Sequence, residues 1–459
     1  MDPQVLPELR EAAGEENLAT DWAERLAYEG DASGGRHPPQ AVVRAVDTAQ
    51  VSRVMAVCTA HRVPVVPRGA GSGITGGAIP VAGGIVLDLA GMRRILRIDA
   101  ADQVAVVEPG VVTAELQAAA EARGLFYPPD PASVSFCTVG GNVAENAGGL
   151  RAVKYGVTRD YVLGVKAVLP DGRVFTTGAP TIKGVVGYDL TRLLVGSEGT
   201  LAVLTEITLR LLPLPEARAT VCGFFPSLEG AAEGVQAILA SGIRPVACEF
   251  MDGLSLQAAE RQAHLGLPAA EAMILVEVDG PPEVVSRQAE ELAGIMRRCG
   301  AEPVRRARDQ AEAQALWQAR RAVGPAVYQQ APGKLNEDIV VPLGKLAEMV
   351  RRIHQIGARR GLDIPTFGHA GDGNLHVNVM HDPQDPASLE AALQAVSDIF
   401  AHTLALGGTL SGEHGVGTTK LGYVEAELDP VALELMRQIK RIFDPAGILN
   451  PHKAIPQPA

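Results

Sequence analysis

The stretch PRGAGSGITGG, Pro67 to Gly77, follows the apolar run VPVV and constrains the chain more than any other segment. Gly69, Gly71, Gly73, Gly76 and Gly77 free the backbone to take positive φ and let a ligand approach the main chain closely. Consecutive exposed N–H groups in such a turn form a concavity suited to phosphate oxygens. The alternative is a tight glycine turn without a ligand. The loop opens no clear helix, which disfavours an ordinary NAD-binding fold.

Two further clusters lie downstream. CTVGGNVAENAGGLRAVKYG (Cys137–Gly156) sets glycine pairs beside Asn142 and Asn146. GYDLTRLLVGSEGTLAVLTEITL carries a Gly-Ser-Glu-Gly turn into an apolar strand. Each alone reads as a loop, but three in one domain point to a bound, elongated, phosphate-bearing cofactor. Around them, short β-branched runs (AVVRAV, IVLDL, VAVVEPG) alternate with helical stretches such as TAQVSRVMAVCTAHR, which predicts α+β layering. The proline-rich LLPLPEA (Leu211–Ala217) marks a boundary. Beyond it, amphipathic helices such as EVVSRQAEELAGIMRRCG and LGKLAEMVRRIHQIGARRG alternate with strands. That pattern predicts one sheet covered on one face by helices. A lead-in over 1–37, a first domain over 38–216, a second over 217–413 and a C-terminal segment over 414–459 are expected.

Lys and Arg number 41 against 53 Asp and Glu, a net charge of −12, which argues against a nucleic-acid binder or adhesion to an anionic membrane. Cys58, Cys137, Cys222, Cys248 and Cys299 form no C-x-x-C pair and suit a reducing compartment. No apolar run reaches the about 20 residues a bilayer span needs. With no secretory leader visible at the start, a cytoplasmic protein is expected, with any membrane link through partners.

FGHAGDGNLHVNVM (Phe367–Met380) carries the chemistry. A Gly-Asp-Gly turn separates His369 from His376, so the two do not share a helix. A hinge between extended pieces can instead bring both imidazoles to one point. Strand alternation puts His376 and Asn378 on a polar face and Val377 and Val379 on a buried apolar one. Further on, GGTLSGEHGVGTTK sets Glu413 and His414 side by side. Two histidines and a carboxylate with an open position are the ligand set of a catalytic zinc-like site. The competing reading is two histidines satisfying core hydrogen bonds, and sequence alone does not show that Glu413 reaches them.

From about Pro38 to Lys453, including the ending IFDPAGILNPHK, the chain resembles the vanillyl-alcohol-oxidase-type (PCMH) flavoproteins. The subgroup it is most similar to contains the glycolate oxidase flavoprotein subunit, D-lactate dehydrogenases and D-2-hydroxyglutarate dehydrogenase. The resemblance implies an α+β chain: a PCMH-type FAD-binding domain, a ferredoxin-like cap domain and a C-terminal segment returning to the flavin. It implies that the first loop (Pro67, Arg68, Gly69, Gly71, Ser72, Gly73) holds the pyrophosphate. Thr138, Gly141, Asn142, Asn146 and Gly149 would line the flavin, with Glu198, Gly199 and Asn450 as further contacts. RGAGSG lacks the histidine of covalent relatives, so non-covalent FAD is expected. The motif H-x-G-D-G-N-x-H with a later E-H-G implies His369, His376 and Glu413 as ligands of a divalent metal, zinc or manganese. It also implies His414 as base and Asn378 as a substrate contact. Arg320, in LWQARRAVG, matches a carboxylate-binding arginine, a task that suits a planar guanidinium. The bland reading of Arg320 is the solvated face of a helix. Gly324 stands where relatives carry a larger or hydroxylated residue, which leaves the substrate side chain open.

The implied activity is oxidation of a small D-2-hydroxy acid, D-lactate or glycolate, with hydride passing to flavin. No iron–sulfur or haem motif is present, so a separate acceptor is implied: a redox protein, a quinone or a partner subunit. Assembly as a homodimer or hetero-oligomer stays open. Two other readings compete: a non-catalytic FAD subunit, which has no need of the histidine pair, and a non-redox flavin synthase on the same scaffold.

Overall fold

The computed structural model describes residues 5–457. The chain divides into two units: residues up to Gly148, Gly156–Leu214 and Glu413 onward form the first; Gly149–Tyr155 and Pro215–Gly412 form the second.

The first unit contains strands β1 (Leu18–Ala19), β2 (Ala41–Arg44), β3 (Val65–Arg68) and β4 (Ile85–Asp88), then β5 (Ile95–Asp99) and β6 (Val104–Val107). After β7 (Leu125–Phe126) follow β8 (Val162–Val168), β9 (Val174–Gly178), β10 (Val203–Arg210) and β11 (Leu212–Pro213). One sheet has the order β1-β2-β4-β3, with β2, β4 and β3 parallel. β2 and β3 run parallel on either side of β4, which needs a crossover, and the helix Thr48–Ala60 supplies it. Asp47 starts that helix by accepting the Gln50 N–H at 2.7 Å. Its Val51, Val54, Met55 and Cys58 pack in one core with Val5, Leu9, Ala12 and Ala13 of the helix Val5–Ala13. The first residues described thus belong to this core rather than standing apart as a lead-in. The second sheet is antiparallel, β5-β6-β10-β8-β9. Near the end of the chain Leu449 bridges Val65, and the Asn450 N–H donates to the Val65 carbonyl at 2.8 Å. That contact returns the C-terminal segment to β3 and the glycine loop that follows it. Gly71, Gly73 and Gly76 do carry a G-x-G-x-x-G spacing, yet turns rather than a helix follow them, so the loop is not of the NAD type.

The second unit is built on one antiparallel sheet of seven strands: β12 (Ala217–Phe225), β13 (Ala247–Asp252), β14 (Ala272–Gly280), β15 (Val304–Arg306), β16 (Gly333–Val340), β17 (Thr366–His369) and β18 (Asn374–His381). The order is β15-β12-β14-β13-β17-β18-β16. Its first four strands, with crossover helices Leu228–Ala240 and Pro282–Arg298, form a ferredoxin-like half. β17, β18 and β16 extend that half at β13. Helices cover both faces, not one as the sequence pattern suggested. Cys222, Phe224, Met273 and Leu275 pack with the helices Gly253–Ala263 and Gln310–Ala326. Gly223 and Phe225, on the other face, meet Met296 and Gly234 of the crossover helices. Coverage on both sides explains why MILV reads as an unbroken apolar run. Residues 149–155, expected in the first domain, group with the second unit. Tyr155 there donates to Asp279 Oδ2 at 2.8 Å, and Lys154 pairs with the same carboxylate.

No helix among the described residues is long and apolar enough to cross a membrane.

Candidate active site

The glycine loop after β3 opens onto a cavity of about 430 Å³ in the first unit. That is within the size range of small-molecule sites, roughly 300–1,000 Å³. Pro67, Arg68, Gly69, Gly71, Ser72 and Gly73 line it, with Thr138, Gly141, Asn142, Glu198, Gly199 and Asn450. Among the described residues, no protein acceptor takes the N–H groups of Ala70 through Gly73. Unspent backbone donors along a glycine loop fit a pyrophosphate. The close approach at Gly69 requires glycine, because a Cβ there would sit 2.2 Å from Thr138 Oγ1. Thr138 is itself held as the cap of the helix Val139–Glu145, its hydroxyl accepting the Gly141 N–H.

Several lining residues work by holding the wall. Arg68 donates to the Gly30 carbonyl at 2.7 Å and lies over the Tyr28 ring, so its guanidinium braces the loop from behind. Asn142 spends its amide on Thr113 Oγ1 at 2.8 Å. Asn450 donates to the carbonyls of Gly77 and Glu198, stapling the first and third clusters together. Two expected flavin contacts do not line this cavity. Asn146 is outside the wall: it ends the helix in a left-handed conformation, φ 57°, and its Oδ1 accepts the Arg159 N–H. Gly149 is also outside the wall and belongs to the second unit.

Glu145 lines the cavity, and sequence reading passed over it. Burial, then the neighbouring Glu198 and Asp31, push its carboxyl well above the usual range, against a smaller opposing pull from Lys453. Burial also raises Glu198, although its carboxylate accepts the Val416 and Gly417 N–H groups at 2.8 and 2.7 Å. Lys453, which donates to the Ile79 carbonyl, is lowered by burial to about 8. A carboxyl raised in the folded state stabilises the fold fully below its unfolded value, and that stabilisation is lost as pH rises through the folded value. In flavin-free protein, Glu145→Gln should therefore reduce the fall in melting temperature between pH 5 and pH 8 by a few degrees. An unchanged slope in thermal melts would refute this reading of Glu145.

Glu413 and His414 also line the cavity. His414 Nε2 stands 3.8 Å from Glu413 Oε1, and the His414 carbonyl accepts the Thr75 hydroxyl at 3.1 Å.

In the second unit, β17 and β18 form a hairpin that pairs Phe367 with His376. Its Gly-Asp-Gly turn is the expected hinge. Gly373 sits at φ 83°, where a Cβ would be 2.1 Å from the Val341 carbonyl. The hinge brings His369 and His376 together, with their Nε2 atoms 3.4 Å apart and both rings buried. Two donors on a tetrahedral ion at zinc–nitrogen distance stand about 3.4 Å apart, so the pair fits a zinc-like cation. Each ring is backed on its Nδ1 side by a buried carboxylate, Glu249 at 2.7 Å from His369 and Asp338 at 3.8 Å from His376. A carboxylate accepts the Nδ1 proton and leaves Nε2 its lone pair for a metal. Glu249 and Asp338 escaped the sequence reading. The signal for Glu249 was an acidic residue among the apolar positions of ACEFMD, where burial demands a partner, whereas Asp338 follows Asn336 and Glu337 in NEDIVV and gave no such signal.

Arg320 is not on a solvated helix face. Its side chain is 11% exposed, its Nε donates to Glu249 Oε2 at 2.8 Å, and its guanidinium lies 4.5 Å from the Phe367 ring centre. The terminal amino groups have no protein acceptor among the described residues, which leaves the fork for a ligand. Asn378 is the expected substrate contact. It is fully buried, accepts from Asn336 at 2.7 Å and donates to the Pro365 carbonyl at 3.2 Å. All of β18 is buried, so it has no polar outer face.

Comparison with known proteins matches two family models to the chain. An FAD binding domain matches residues 39–178, and the C-terminal domain of the FAD linked oxidases matches residues 214–454. The glycolate oxidase subunit GlcD of Bacillus subtilis is 44% identical over 451 residues, 98% of this chain and 96% of that one. A D-lactate dehydrogenase of Anaerostipes hadrus is 35% identical, covering 98% of this chain and 97% of its own. Among solved structures, p-cresol methylhydroxylase with substrate bound superposes with a TM-score of 0.82 at 17% identity, over 98% of this chain and 96% of that one. The last likeness shows the PCMH-type fold alone. With both domains matched and relatives this similar along nearly its whole length, the chain belongs to the FAD-linked oxidases.

Proposed function

We propose that the protein oxidises a small D-2-hydroxy acid, D-lactate or glycolate, to the 2-oxo acid with non-covalent FAD and a divalent metal. One observation carries the reading. The Arg320 fork and the histidine pair flank a single ring: Phe367 lies 4.5 Å from the guanidinium and 5.4 Å from the His376 ring centre. A 2-hydroxy acid has a carboxylate and a hydroxyl on adjacent carbons, which suits a guanidinium beside a cation site.

His369 and His376 would hold the ion, with Glu413 as third ligand. The E-H-G motif that follows the histidine pair in the sequence supports that third place. Glu413 and His414 line the flavin cavity. A metal held by His369, His376 and Glu413 would supply polarisation of the substrate hydroxyl, and FAD held along the glycine loop would supply the hydride acceptor. Arg320 fixes the substrate carboxylate through paired N–H···O bonds. A ring nitrogen of His414 accepts the hydroxyl proton. Electrons then leave to a separate acceptor. The GlcD relatives are named as subunits, which favours a partner subunit as that acceptor.

Anaerobic addition of D-lactate or glycolate should bleach the flavin absorbance near completion, whereas L-lactate should bleach it at least tenfold more slowly. A flavin left oxidised by every small 2-hydroxy acid would end the proposal.

A further inference from the structure

Glu249 is fully buried, and its two oxygens are divided between two functional groups: Oε2 accepts from Arg320 Nε at 2.8 Å and Oε1 accepts from His369 Nδ1 at 2.7 Å. It lies on β13, which pairs with β17 so that Glu249 stands opposite His369 in register. We propose that Glu249 is a positioning residue that couples the substrate-carboxylate grip to the metal site, so that neither can be loosened without the other. The inference rests on the function proposed above and adds a residue to it.

The chemistry follows from the lone pairs. A carboxylate carries one full acceptor oxygen for each neighbour. Accepting the Nδ1 proton fixes the His369 tautomer and turns Nε2 toward His376. Accepting from Arg320 Nε fixes the guanidinium plane and turns its terminal N–H groups outward, stacked on Phe367. The buried negative charge also offsets the buried arginine, which would otherwise lack a counter-charge. An amide breaks this arrangement, because it has a single acceptor oxygen. In Glu249→Gln that oxygen serves Arg320 or His369, and the NH₂ group then faces whichever partner is left. If His369 is left, its Nδ1 must accept, which puts the proton on Nε2 and blocks the metal.

The test uses full-length holoenzyme. Zinc affinity is measured by chelator competition, and kcat and KM for D-lactate and glycolate are measured with an artificial acceptor. Glu249→Gln should weaken zinc binding about 10–100-fold and raise KM at least tenfold, with the flavin still bound. Glu249→Asp, which keeps both acceptor oxygens, should recover part of both losses. Arg320→Lys touches no metal ligand, yet it should loosen zinc several-fold, because Glu249 loses the donor that fixes its orientation. That measurement decides the matter if Glu249→Gln fails to fold. Zinc affinity and KM both unchanged in Glu249→Gln would overturn the inference. A loss of zinc affinity with unchanged KM, or unchanged zinc affinity in Arg320→Lys, would overturn the coupling. Native protein without metal or hydroxy-acid turnover would instead defeat the proposed function, a result distinct from any of these.

Discussion

His414→Ala should lower kcat for D-lactate or glycolate by about 10²–10⁴-fold, the usual worth of a positioned general base. The flavin spectrum and the metal content should stay as in the native protein. The substitution leaves the backbone contacts of this segment in place. The His414 bond that ties this segment to the first unit runs through its carbonyl, which accepts the Thr75 hydroxyl at 3.1 Å, and alanine keeps it. The neighbouring Val416 and Gly417 N–H groups remain on Glu198. Rapid anaerobic mixing separates binding from chemistry: flavin reduction should slow while the substrate concentration for half-saturation changes little. Turnover within threefold of native, with the metal retained, would remove His414 from the proton transfer.

What the sequence made legible was local. The glycine loop and the Gly-Asp-Gly hinge each follow from a residue pattern that permits few backbones, whereas the ferredoxin-like half was implied by the family resemblance. Its misses were questions of partnership. Asn378 alternates with Val377 along a strand, which reads as a polar face only if the sheet is bare on one side. Here β16 and β17 flank β18 and the whole strand is buried, so the amide serves Asn336 and Pro365. Asn146 sits in a glycine-rich cluster that reads as a ligand wall, but its role is to cap a helix, for which asparagine tolerates a positive φ. Arg320 pointed the other way. The resemblance gave it a carboxylate-binding role against the competing reading of a solvated helix face, and only the fold shows it paired with a carboxylate seventy-one positions away in sequence. Glu249 was visible as a charge inside an apolar strand, yet its two partners lie on other elements. Long-range pairing decides such cases, and a single sequence does not encode it by spacing.

Removing the metal should abolish turnover while the protein stays yellow. His369 and His376 contribute nothing to the wall of the flavin cavity, so dialysis against a strong chelator should cost hydroxy-acid oxidation at least a hundredfold and leave the flavin in place. His369→Ala should do the same without chelator, because it deletes one of two nitrogens 3.4 Å apart and leaves Glu249 without its imidazole partner. The pattern of rescue tests the donor chemistry. Two neutral imidazoles suit zinc or manganese, whereas calcium and magnesium prefer all-oxygen sites. Zinc or manganese should therefore restore chelated native protein, and calcium should not. Neither should restore His369→Ala to more than a few per cent of native activity. Chelated protein with less than a tenth of an equivalent of any transition metal and full activity would exclude a metal role, and Arg320 and His414 would then have to account for catalysis without it.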